Sequence, residues 1–147
     1  MPEVLEYRRA ASEARPASPA TDVRLAIGVI VTGVAAYLGS AALEPPAHHP
    51  SSAWVSVAVA GETVLLGLAF AGSLAVLHGR PRVGYGALAG AAWVLLALVV
   101  GCPVSGHHTF GAWWAAQMAL ALAFAAVATV ACAITRRGSR RVLRAAG

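Results

Sequence analysis

The polar and apolar positions of this chain separate into long blocks rather than alternating. Four apolar runs, at residues 23–43, 53–77, 83–102 and 111–135, are broken only by short polar gaps. About 20 helical residues cross a hydrocarbon core, so each run is long enough to span a bilayer. A helix on the surface of a soluble protein would place a polar residue every third or fourth position, and these runs do not. The pattern therefore predicts an all-α fold, an integral membrane four-helix bundle occupying residues 23–135. It is preceded by a cytoplasmic N-terminal segment, residues 1–22, and followed by a basic tail, residues 136–147.

The gaps carry turn chemistry. Glu44-Pro45-Pro46 ends the first run, Gly79-Arg80-Pro81-Arg82 separates the second from the third, and Cys102-Pro103 ends the third. Ser51 or Ser52 and Thr109 are placed to cap the second and fourth helices. The first run is also longer than the 7–15 residues of a signal-peptide core, and a polar segment precedes it. Despite the small residues Ser40-Ala41-Ala42, it reads as a retained span. Residues 14–20, rich in Pro, Ser and Ala, are expected to be disordered.

Composition agrees with this reading. Hydrophobic residues make up 59% of the 147 positions, and the mean hydropathy is +0.70, above the range of ordinary soluble domains. The two cysteines, Cys102 and Cys132, form no CxxC pair and fall near opposite ends of their spans, so no mutual disulfide is expected. Charge then orients the bundle. All eleven basic side chains other than histidine are arginine, at positions 8, 9, 15 and 24, then 80 and 82, then 136, 137, 140, 141 and 144. The first and third connections carry none. Arginine is retained on the cytoplasmic side, which predicts both termini inside, a multi-pass protein of the cell (cytoplasmic) membrane, and a tail lying on anionic lipid headgroups. Trp54, Phe110, Trp113 and Trp114 would form an aromatic belt at the outer interface. The arginines flank apolar spans instead of lining a face with interleaved aromatics, so nucleic acid is not an expected partner.

Small residues on the first span (Gly28, Thr32, Ala35, Gly39) and the third (Gly86, Gly90, Ala97, Gly101) would let helices approach closely in lipid. Homo-oligomers or other membrane subunits are the expected protein partners.

Two polar features stand out. The outer loops share an HHxxxAW pattern, His48-His49 to Trp54 and His107-His108 to Trp113, repeated at a spacing of 59 residues. The repeat suggests two duplicated helical hairpins of like orientation. It would gather His48, His49, His107 and His108 on one face with Cys102, and Glu44 lies four residues before His48. Imidazole with thiolate or carboxylate suits zinc, copper or nickel. Each pair precedes a helix N-terminus, which keeps imidazole neutral for ligation but disfavours a bound cation. The second feature is Glu62, an ionisable residue roughly 12 Å below Trp54 by helical rise. Such residues are functional candidates by default, and Tyr37 and Gln117 lie at similar depth as its expected partners in proton or cation handling.

No phosphate loop, HExxH, nucleophile elbow or paired catalytic carboxylates occur, so no catalytic residue is assigned. Three function classes follow. The first is a non-enzymatic accessory or oligomer-forming subunit. The second is a metal- or proton-linked transporter or sensor built on the histidine pairs and Glu62. The third is a metal-dependent membrane enzyme.

Overall fold

The structure, a computed structural model, describes residues 19–45, 52–106, 108 and 110–145. It is all-helical: α1 (Pro19–Leu43), α2 (Ser52–Leu77), α3 (Pro81–Val104) and α4 (Ala112–Ala145). All four are long and apolar enough to cross a membrane, over Val23–Leu43, Ala53–Leu77, Pro81–Val104 and Ala112–Arg137. Large apolar side chains such as Ile27, Val57, Phe70, Trp93 and Ile134 stand exposed on every helix. Exposure of that extent belongs in lipid rather than water. The hydroxyls agree. Thr32, Thr63 and Ser73 each donate to the carbonyl four residues back, at 2.7–2.8 Å. In a solvent with no hydrogen bonds to offer, this satisfies the group on its own helix.

The helix ends follow from local chemistry. Pro45, lacking an N–H, cannot continue α1, and the Glu44 amide makes only a long 3.4 Å bond to Ala41. α2 closes in a Schellman motif, in which the Gly79 amide bonds the Val76 carbonyl and the Arg80 amide that of Ala75. This requires the left-handed φ of 73° at Gly79. Pro81 then opens α3 at its first position. Two expected boundaries shift. α1 starts at Pro19, inside the stretch expected to be disordered, because proline is pre-set for a first helical turn. α4 runs on through the arginine tail to Ala145, since arginine propagates a helix well.

Consecutive helices run antiparallel. α4 packs against both α1 and α3, and α3 packs against α2, whereas α1 and α2 scarcely touch. The core between them is built largely from alanine: Ala36 of α1, Ala92 of α3, and Ala121, Ala125, Ala128 and Ala131 of α4, interleaved with Val29, Leu65, Tyr85, Leu88, Leu95 and Phe124. The buried positions of α1, namely Ala26, Val29, Ala36 and Ser40, are spaced by three, seven and four residues, one helical face.

The small-residue faces expected from sequence are divided by the packing. Gly39 rests on Leu120, Gly90 on Leu68 and Gly101 on the ring of Trp54, but Gly28 and Gly86 face open space. The closest crossing is elsewhere, where Gly72 of α2 and Gly84 of α3 bring backbone against backbone.

Candidate functional site

The ends of α1 and α3 and the start of α4 meet at the arginine-free end of the bundle, and two hydrogen bonds fix them there. Pro103 removes the amide that would have bonded the Val99 carbonyl one turn earlier. The indole N–H of Trp114, from α4, donates to that carbonyl at 2.9 Å. Ser40 is among the last four residues of α1, whose carbonyls lack helical partners. The side-chain amide of Gln117, also from α4, donates to its carbonyl at 2.7 Å and is itself buried. α4 thus satisfies an orphan carbonyl on each neighbour. Trp114→Phe should cost about 1–3 kcal/mol by leaving the Val99 carbonyl unpaired in low dielectric. Detergent-titrated unfolding of the purified protein checks this, and an unchanged midpoint would show the bond to be dispensable.

These contacts bring together Glu44 at the end of α1, Cys102 in the last turn of α3 and His108 in the connection before α4. One ligand atom from each lies within 4.8 Å of the others. His108 Nε2 is 3.1 Å from Glu44 Oε1. The His108 ring is buried and meets Trp113 edge-on, with centroids 5.4 Å apart. Cys102 is buried and, like Cys132, is a free thiol. Phe110 packs edge-on against Trp114 in the same aromatic layer.

The donor set fits a borderline-soft ion. Tetrahedral zinc, with bonds of about 2.0–2.3 Å, needs ligand atoms about 3.3–3.6 Å apart. The three groups, within 4.8 Å of one another, would have to close by about 1 Å to share one ion. Glu44 and Cys102 both sit at helix C-termini, where the partial negative charge favours a cation. The unfavourable dipole expected from the helix N-termini is thus offset by the ends that carry two of the three donors. Of the histidines expected at this site, His108 is placed with Cys102, while His48, His49 and His107 lie outside the described residues. His78, at the opposite end, is bonded through Nδ1 to the Leu74 carbonyl at 2.8 Å.

Beneath the triad lies a cavity of about 110 Å³. Glu44 and Cys102 line its upper end, and Glu62, Tyr37, Gln117 and Ser40 line its walls. The expected grouping of Glu62 with Tyr37 and Gln117 is therefore a shared cavity. Neither Tyr37 nor Gln117 bonds Glu62 directly, and the Gln117 side-chain amide donates to the Ser40 carbonyl. Sequence reasoning missed Ser40. Its hydroxyl is the one buried side-chain oxygen or nitrogen among the described residues without a hydrogen-bond partner.

Fold and site together define a multi-pass helical bundle with a cysteine–histidine–carboxylate cluster at one end. Comparison with known proteins finds no match to any family model, curated protein or solved structure. The functional reading therefore rests on the geometry.

Proposed function

We propose that the chain is a non-enzymatic multi-pass protein of the cytoplasmic membrane that binds a transition-metal ion at its outer end, acting as a metal-linked sensor or transporter. The observation that carries this is the convergence of Glu44, Cys102 and His108, donors from three separate segments, within 4.8 Å. Zinc suits a thiolate, an imidazole and a carboxylate with a fourth position open, and copper and nickel are the nearest competitors. His48, His49 or His107 is the natural source of a fourth ligand, since each neighbours a member of the triad in sequence. Glu62, in the cavity below, is the next carboxyl that a cation or proton would meet.

The test is metal analysis of the full chain purified in mild detergent. One equivalent of zinc should survive gel filtration, and Cys102→Ser should remove it. Metal at background level in the wild-type protein overturns the proposal.

The orientation is part of this reading. With every arginine inside, reporter fusions after Pro46 and Ser105 should report an external location, and fusions after Arg82 and Arg141 a cytoplasmic one. A cytoplasmic signal at either of the first two would move the triad to the inner face. A second reading, that of an oligomer-forming subunit in a membrane complex, is favoured by Gly28, which faces open space on α1 beside Thr32 and Ala35. A chain that binds no metal yet runs as a defined oligomer would select it.

A further inference from the structure

The sparse contact between α1 and α2 leaves a seam, and the seam is not uniform. Its upper part is the polar cavity already described. Immediately below lies a second cavity of about 160 Å³, and Tyr37, Leu65 and Leu95 belong to the walls of both. The remaining wall of the lower cavity is hydrocarbon, including Val34, Leu38, Leu66 and Phe124. The hydroxyl of Ser73, its other polar side chain besides Tyr37, is bonded to its own helix. Val34, Leu38 and Leu66 are themselves exposed, so the lower cavity opens sideways toward the surrounding acyl chains.

We propose that this seam binds a cationic amphiphile, with a protonated amine held at Glu62 and a single hydrocarbon chain lying along the lower cavity. Three observations select that chemistry. Among the described residues the polar cavity is lined by two carboxyl groups, Glu44 and Glu62, and by no arginine or histidine, so an anionic head is repelled and a cationic head is matched. A carboxylate inside a bilayer needs a proton or a cationic partner, and Glu62 makes no hydrogen bond among the described residues. The Ser40 hydroxyl, 94% buried (6% exposed) and unpartnered on the wall of the same cavity, offers an acceptor for a second ammonium N–H. A bare metal ion or a proton would use the carboxylates but has no need of the apolar cavity beneath them. An uncharged alkyl chain would use only the lower cavity.

This goes beyond metal binding, and Glu44 borders both sites, so the test is run on chelator-treated protein. The full chain in phosphatidylcholine nanodiscs is labelled with dodecylamine carrying a mid-chain diazirine, and adducts are mapped by mass spectrometry. Adducts should concentrate on residues 30–38 and 65–73. Unlabelled dodecylamine should displace the probe at about tenfold lower concentration than dodecanol, the effect of one charge-assisted contact. Glu62→Gln, nearly isosteric at an exposed position, should erase that preference and leave the alcohol unchanged. Ala69→Trp, which fills the lower cavity from α2, should weaken both. Equal displacement by amine and alcohol in the wild-type protein overturns the proposal without recourse to any variant. So do adducts scattered over the outer faces of α3 and α4, or an amine preference that survives Glu62→Gln. Because no metal is present, failure here leaves the zinc result standing, and the reverse holds as well.

Discussion

Replacing His108 with glutamine should lower the zinc affinity of the purified chain by at least about 100-fold. Changes to groups that merely orient a metal ligand typically cost 10–100-fold, and on the proposed reading His108 would supply a ligand atom directly. The buried ring is held edge-on by Trp113 with Nε2 aimed at Glu44. Glutamine cannot put a nitrogen lone pair at that point. His78→Gln, at the other end of the bundle, should have no effect. A combined His48→Ala and His107→Ala change should likewise cost at least about 100-fold if one of them supplies the fourth ligand. For the wild-type protein, affinity should fall as the pH is lowered, because protons compete with the metal for the imidazole and the thiol. Competition against a calibrated zinc chelator measures all of these. An affinity for His108→Gln within a few-fold of the wild-type value would remove His108 from the site.

Gly84→Leu should prevent assembly of the native bundle, a loss of more than about 3 kcal/mol that exceeds ordinary overpacking. Even a Cβ at Gly84 would fall 2.7 Å from the Gly72 carbonyl oxygen and 2.7 Å from the Val76 amide nitrogen. Both are backbone atoms, so no side-chain rotation relieves the clash and the two helices must separate. Between helices in lipid, close packing substitutes for the hydrophobic drive, so separation forfeits most of what holds α2 to α3. Gly86→Ala, two residues along, meets open space. It should be neutral or stabilising by up to about 1 kcal/mol through helix propensity. Unfolding in mixed micelles, with both variants beside the wild-type protein, gives the comparison. Equal effects at the two positions would show that the Gly72–Gly84 crossing does not hold the bundle.

The contrast between these glycines marks what the sequence could and could not convey. Length and hydropathy suffice to define a transmembrane helix, so the four spans were legible to within two residues at every end. Which face of a helix is buried depends on its neighbours. In a chain this rich in Ala and Gly the small-residue motif recurs on lipid-facing sides as well, so Gly86 and Gly84 look alike until α2 is laid against α3. The same limit applies to the site. Cys102 and His108 were legible as ligand types near one loop. Glu44, four residues before His48 in sequence, meets His108, because Gln117 and Trp114 draw the ends of α1 and α3 together around α4. Pro103 leaves the Val99 carbonyl without a donor, and an indole N–H at the start of the next helix is the sort of group that would fill it. Ser40 gave no signal, since a lone serine in an apolar run reads as another small residue.

Cobalt(II) titration of the full chain, freed of metal and held in detergent, tests the central claim most directly. Binding through Cys102 should produce a thiolate-to-cobalt charge-transfer band in the near ultraviolet, with the intense visible bands of a four-coordinate ion. Both should saturate at one equivalent and be reversed by zinc. Cys102→Ser should abolish the charge-transfer band. Weak six-coordinate bands without a thiolate feature, the same in the wild-type protein and in Cys102→Ser, would contradict a metal site at Glu44, Cys102 and His108.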